Sequence, residues 1–380
     1  MMRQMSRRVL ISAFATVCLA MVVAGVSGCM RRVPEPPIAY GSIEGVVSDA
    51  DTGVPLAGAT VTMGSDPALQ TTTDGDGAFE FTSLVTGNYD IRAVADGYVS
   101  NAATGVVVVE NEVTLASIEL TPLGEVAVLL FQEPSAHAWN GHDFAGTALD
   151  GLGHIYQVAD NPDDFVREMA RPWHMVIVDE WHYTSDAMLD VLAGYVSAGG
   201  LLAMASWAPN HDSSHELWAR LGADFTGVPA PDHDEPLPPV FSWGGAHDIL
   251  EVPNALPDFT QFYSMNVMEY YGGNETGGAL ALAGFDVAWP RADSAAVFVA
   301  NGGKTIFSSF SVDFMVGPEP DHTPADVDAD GKPDAVEYWE NQITYLLTHF
   351  DPAPVMAGSP ATRGAAPTGR PEGGLASSMR

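Results

Sequence analysis

The stretch HMVIVDEWHYTSDAMLDVLAGYVSAGGLLAMASW, residues 174–207, decides the fold of the larger part of this 380-residue chain. His174–Glu180 is a short apolar run without alternation, as expected of a strand covered on both faces. SDAMLDVLAGYVSAGG then starts at Ser185, a residue that caps helix N-termini, and stops at Gly199-Gly200, so it reads as a helix. Leu201–Trp207 is the next buried strand. A strand, a helix and a strand in succession mean a right-handed crossover and therefore a parallel sheet.

The same rhythm extends both ways. Upstream, EVAVLLF (Glu125–Phe131) is another buried strand, followed by HIYQVAD (His154–Asp160) and a helix through NPDDFVREMA with Pro162 in its first turn. Downstream, GALALAGFDVAW, SAAVFVAN and KTIFSSFS read as β structure, with NGGKT (residues 301–305) a hairpin turn rather than a phosphate loop. EYWENQITYLLTHF (Glu337–Phe350) closes the domain as an amphipathic helix with Trp339, Ile343, Leu346 and Leu347 on one side. Residues 124–350 are thus an α/β parallel-sheet domain. Its VLLF strand, VIVD strand, following helix, AGG and LLAMAS resemble the class I glutamine amidotransferase-like, flavodoxin-like domains, including the ThuA-like branch.

That resemblance implies a cysteine nucleophile at a tight strand-to-helix elbow. The place reads Ala205-Ser206-Trp207-Ala208-Pro209 instead, and the chain's two cysteines, Cys18 and Cys29, both precede the domain. Glutaminase chemistry is therefore excluded. Ser206 lacks the flanking glycines of G-x-S-x-G, and Trp207 and Pro209 oppose such an elbow, so a serine hydrolase is disfavoured as well.

Residues 41–123 follow another rule. SIEGVVSD, ATVTM, GAFEF, YDIRAVADGY, VVVV and VTLASIEL are short β runs between Gly, Asp and Pro turns, which predicts an all-β sandwich. TGVPLAGATV, TDGDGAFEF, LVTGNYDI and ADGY resemble the carboxypeptidase regulatory-like domain, a transthyretin-like sandwich grouped with carbohydrate-binding-like folds, which implies a spacer or adhesion role. Gly75 and Gly77 are expected to supply turns, and Phe79, Phe81 and Tyr89 to face a core. That structural role is preferred to a ligand site at Asp74 and Asp76.

The first residues have a basic start (Arg3, Arg7, Arg8), an apolar run from Val9 to Val23 and small residues before Cys29, the layout of an export signal. Val26-Ser27-Gly28-Cys29 resembles a bacterial lipobox, which implies cleavage after residue 28, lipidation of Cys29 and a lipid membrane as partner. A single mature cysteine fits an anchor better than a disulfide, and the apolar run is short for a span. Met30 after the cysteine, by the same resemblance, favours the outer membrane. Residues 29–40 are Pro-rich and expected to be an extended tether. The tail 351–380, rich in Pro, Gly, Ala and Ser, is expected to be disordered.

Fifteen Lys and Arg against 49 Asp and Glu give a net charge of −34, and the lysines are Lys304 and Lys332. Long-range repulsion excludes nucleic acid as a partner. So acidic a chain fits a salty or calcium-containing medium, or serves solubility alone.

Two groups of residues carry candidate chemistry. Ligands of open α/β sheets lie beyond the carboxyl ends of the strands, where His137, His142, Asp179, Glu180, His182, His211, Asp212 and His215 are expected. Imidazoles with a carboxylate can hold a transition metal. Against this, Ser213 and Glu216 read as a capping box that would place His215 in a helix's first turn. The second group is DVDADGKPDAVE, residues 326–337. Asp326, Asp328, Asp330, Asp334 and Glu337 hold positions 1, 3, 5, 9 and 12 of a calcium loop, with Gly331 at position 6 and the Lys332 carbonyl at 7. Pro333 and the Pro-rich VGPEPDHTPA before it make the segment resemble a single loop of the dockerin or thrombospondin kind, with one helix after it. The alternative is an acidic turn capping that helix.

These readings favour a calcium-stabilised, lipid-anchored envelope protein that binds a glycan, a protein or an envelope component, or serves as a scaffold, without catalysis. The competing reading is a metal-dependent hydrolase at the His-rich strand ends.

Overall fold

Along β1 (Tyr40–Asp49) the buried side chains Ile43 and Val47 alternate with exposed ones, and the same alternation runs through the strands that follow. The structure is a computed structural model describing residues 38–357, except 65, 135–139, 181–184, 208, 210–211, 229–237, 244–246, 257, 259–269, 288–292 and 318–321. Cys29 and the tether up to residue 37 lie outside the described residues.

The strands β2 (Thr60–Met63), β3 (Asp66–Thr72), β4 (Ala78–Val85), β5 (Gly87–Val94), β6 (Asn101–Val108) and β7 (Val113–Leu120) complete two sheets, ordered β4-β1-β7 and β3-β2-β5-β6. β1 runs antiparallel to β4 and parallel to β7. Between the sheets lie Ile43, Val47, Val61, Met63, Phe79, Phe81, Ile91 and Ile118. The sandwich is as expected, with β3 added: DPALQTT is too polar to announce a strand and forms one by pairing with β2. Asp74 ties its own turn, its carboxylate accepting the amides of Asp76 (3.0 Å) and Ala78 (2.9 Å). Gly77 has φ +69°, and a Cβ there would lie 2.6 Å from the Val47 carbonyl; Gly75, by contrast, faces open space with ordinary φ.

The second unit contains β8 (Val128–Gln132), α1 (Phe144–Gly151), β9 (Tyr156–Ala159), α2 (Pro162–Glu168), β10 (Met175–Asp179), α3 (Asp186–Ser197), β11 (Leu201–Ala205), α4 (Glu216–Arg220), β12 (Ala223–Asp224), β13 (Phe241–Ser242), α5 (Asp248–Glu251), β14 (Asn274–Glu275), β15 (Leu280–Gly284), β16 (Ala295–Ala300), β17 (Thr305–Ser308) and α6 (Asp334–His349). Its eight-stranded sheet has the order β13-β15-β16-β17-β11-β10-β8-β9. The five strands β9, β8, β10, β11 and β17 are parallel neighbours, and β16, β15 and β13 extend the sheet antiparallel. Numbered by their sequence, the parallel strands lie in the order 2-1-3-4-5, the flavodoxin-like arrangement, whose direction switches between β8 and β10.

Both faces of this sheet are covered. Met175 and Ile177 of β10 point into one core with Trp339 and Ile343 of α6; Val176 and Val178 point into the other with Leu192 and Tyr195 of α3. Ser185 caps α3 as expected, accepting from Met188, and Gly199 ends it at φ +88°. Asn161 caps α2 with Pro162 at its first position. The hairpin expected at residues 301–305 joins β16 to β17. α1 was not foreseen. Within the tail expected to be disordered from residue 351, Val355 instead pairs its backbone with Trp173 (3.0 and 2.8 Å); residues 358–380 lie outside the described residues.

A buried ionic knot joins the two units. Glu168, 1% exposed at the end of α2, accepts from Arg171 (2.6 Å) and from Arg92 of the sandwich. Arg171 also donates to the carbonyls of Ala95 (2.7 Å) and Tyr98 (2.5 Å), and Gln157 accepts from the amide and hydroxyl of Ser100. Removing one member of a buried pair strands the other charge, at about 3–5 kcal/mol. Glu168→Ala is therefore expected to split thermal unfolding into two transitions, one per unit; a single transition at the wild-type temperature in differential scanning calorimetry would refute the coupling.

Candidate functional sites around the start of the last helix

The acidic stretch 326–337 folds around its own first carboxylate. The amides of Asp330 and Gly331 donate to Asp326 (3.1 and 3.0 Å), Asp330 also donates to Asp328 (3.2 Å), and Lys332 to Asp330 (2.8 Å). Such a tight wrap needs left-handed backbone, supplied by Ala329 (φ +61°) and Gly331 (φ +96°). Carboxylate oxygens of Asp326, Asp328 and Asp334 lie within 4.8 Å of one another, the one such triad among the described residues. α6 begins at Asp334, three residues before the predicted start, and Pro333 at its cap provides no side-chain bond.

Glu337 decides how this loop is read. It is 2% exposed and its Oε2 has no hydrogen-bond partner. Burial, then the charges of Asp330 and Asp328, push its carboxyl up to about 7. Asp334 is also raised, first by burial, against the opposing hydrogen bond from the Val327 amide. The positively charged group of Lys332 is turned away, to Glu340 (2.8 Å) and Asn254 (3.1 Å). A helix-capping acid in water would show none of this burial. The arrangement suits a hard divalent ion bound by several carboxylate oxygens.

The second cluster lies at the carboxyl ends of β8, β10, β11 and β17. Asp179 ends β10, Glu180 follows it, and Asp313 sits in a short 3-10 turn beyond β17; all three are at most 1% exposed. Both oxygens of Asp179, both of Asp313 and Oε1 of Glu180 have no hydrogen-bond partner, while Glu180 Oε2 accepts from Ser206 (2.6 Å). Asp143, half-buried at the α1 cap, accepts from Gly146 (2.6 Å) and from Gln132 at the end of β8 (2.9 Å). Burial, followed by the facing charges of Asp313, Asp143 and Glu180, holds Asp179 well above the usual carboxylate range. Burial, then Asp143 and Glu133, pushes Asp313 up to about 7, and burial dominates the rise of Glu180.

Of the histidines expected here, His137, His182 and His211 lie outside the described residues. His142 stacks on Phe144 (5.4 Å between centroids) with Nε2 3.1 Å from the His322 carbonyl. His215 is the cap of α4: Nδ1 accepts from Leu217 (3.1 Å) and Nε2 faces Asp190 (3.3 Å). The Ser213–Glu216 capping box is thus replaced by a cap two residues later, with both nitrogens of His215 engaged. Asp143 and Asp313 were missed; the signal for Asp313 was a lone acid inside the apolar run FSVDFMV after a strand. A cavity of about 420 Å³ opens between the two clusters, lined by His142, Asp143 and Phe144 on one side and Gly331, Lys332 and Pro333 on the other.

Fold and sites together define a sandwich fused to a flavodoxin-like α/β domain with two concentrations of buried acid. Residues 42–121 match the family described as carboxypeptidase regulatory-like domain. No curated protein shows a significant match. Among solved structures, a protein described as ThuA-like from Bacteroides uniformis is 13% identical over 60% of this chain and 93% of its own, with a TM-score of 0.40. A type II cohesin–X-dockerin complex of Acetivibrio cellulolyticus is 21% identical over 21% of this chain and 56% of its own (TM-score 0.19). The minor pilin GBS52 of Streptococcus agalactiae is 20% identical over 22% and 45% (TM-score 0.19). The match therefore spans only about half the length of each of the last two chains.

The raised carboxyls fix a sign for the pH dependence. A folded pKa above the unfolded one favours folding while the group is protonated, and that contribution is lost as pH rises through the folded value. With chelator present, the contribution of these two groups to the melting temperature is expected to fall from about pH 4.5 to about pH 7, between the ordinary carboxyl value and the raised values of Glu337 and Asp313, and Glu337→Gln is expected to flatten the fall. A melting temperature that rises across this interval would contradict the assignment.

Proposed function

We propose that this chain is an extracytoplasmic lipoprotein, anchored through Cys29, whose α/β domain is stabilised by calcium in loop 326–337 and which serves as a binding or scaffold protein. The observation that carries the reading is Glu337: a buried carboxylate at loop position 12, with an unpartnered oxygen, among Asp326, Asp328, Asp330 and Asp334. Calcium would draw these acids together and fix the start of α6, with Lys332 contributing its carbonyl. The competing hydrolase reading relied on histidines at the strand ends, and the described ones, His142 and His215, are engaged in local contacts. The sandwich would act as a rigid arm presenting the α/β domain to a glycan, protein or envelope component. Its docking through Arg92, Glu168 and Arg171 supports rigidity rather than a loose bead.

At a calcium concentration about a hundredfold above the dissociation constant, one site contributes about 2.7 kcal/mol, or roughly 5–10 °C in a domain of this size. Differential scanning fluorimetry in millimolar calcium against excess chelator is expected to show that rise in the wild type and its loss in Glu337→Gln. Equal melting temperatures for the wild type in the two media would refute the site. The anchor is tested separately: the processed wild type should partition into detergent and Cys29→Ser into the aqueous phase, and identical partitioning would refute lipidation.

A further inference from the structure

The calcium loop leaves the second acid cluster unexplained. Asp179 and Asp313 come from elements separated by more than a hundred residues, yet fold toward each other at 1% and 0% exposure without a single hydrogen bond to their four oxygens. Buried carboxylates ordinarily find donors, because an unpartnered one is costly. Here the Trp339 indole is turned toward Asp179 but closes no hydrogen bond, and neither oxygen of Asp313 receives one. The Asn140 amide goes to the backbone carbonyl of Asp313 (3.1 Å), and Gln132 bonds Asp143 rather than Asp179. The charged groups facing Asp179 and Asp313 are all acids: one another, Asp143, Glu180 and Glu133. Such a cluster sits at the carboxyl ends of the neighbouring strands β8 and β10, where the order of connections switches and flavodoxin-like sheets take their ligands.

We propose that Asp143, Asp179 and Asp313 hold a hard divalent cation at this switch point, independent of the calcium loop. Oxygen-only ligands select the magnesium, manganese and calcium class over zinc or copper. Their oxygens do not all lie within 4.8 Å of one another, as those of Asp326, Asp328 and Asp334 do. That spacing suits a magnesium-type ion, which keeps several of its waters and takes only one or two carboxylates directly. Asp143 provides the route in, because it is half-buried and lines the cavity of about 420 Å³. The ion would supply the positive charge that nearby side chains do not.

Manganese(II) is the probe, counted by loss of the free-ion electron paramagnetic resonance signal, on the full chain carrying Glu337→Gln so that the loop is disabled. One ion per chain is expected to remain, and adding Asp313→Asn should weaken its binding about tenfold or more. Should Asp313→Asn fail to fold by near-ultraviolet circular dichroism, Asp179→Asn carries the same comparison. No uptake by the Glu337→Gln chain, or affinity unchanged by the second substitution, overturns the proposal. Calcium titration of the wild type against Glu337→Gln reports on the loop alone, so failure of the one site is distinguishable from failure of the other.

Discussion

Two turns of one helix hold both concentrations of acid in place. Glu337, in the first turn of α6, faces the aspartates of the loop, while Tyr338 and Trp339, the next two residues, face the strand ends. Tyr338 bonds Ser308 at the end of β17 (2.6 Å), and the Trp339 indole is a donor turned toward Asp179, tempering its rise without closing a hydrogen bond. Glu340 and Asn341 then tie the helix to Lys332 and Asn254. The seating of α6 is therefore an electrostatic problem. Like charges crowd its start from two directions, in a protein whose net charge is already −34. Protonation or bound cations are the two ways such acids become tolerable in a folded interior.

Much of this architecture was legible from the residues. The parallel core of the second unit follows from uninterrupted apolar runs such as Val128–Phe131 and Met175–Val178, whose neighbours alternate between the two covered faces. Pro162 announced its helix because its missing amide suits a first turn, and Ser185 announced its own because a side-chain oxygen there satisfies a free amide. What stayed hidden depends on contacts remote in sequence. β3 forms because β2 offers it an edge. The Arg92–Glu168 pair joins residues 76 positions apart, and Asp313 meets Asp179 only once β17 lies beside β11. The complete set of loop acids was visible from their spacing, but the burial of Glu337 was not, since it arises from the packing of α6.

The knot around Glu168 seats the first unit on the second. Arg171 lies over the Trp173 ring at 4.9 Å, and Trp173 in turn pairs with Val355 beyond α6. Sandwich, sheet and the end of the last helix thus share one buried seam.

In the proposed reading, cations replace protons among the buried carboxylates. A crystal structure of the full chain grown in calcium, with anomalous scattering used to place the ions, addresses it most directly. The expected result is a calcium peak about 2.3–2.6 Å from oxygens of Asp326, Asp328 and Glu337. Loop carboxylates bonded only to water and to their own backbone amides would contradict it.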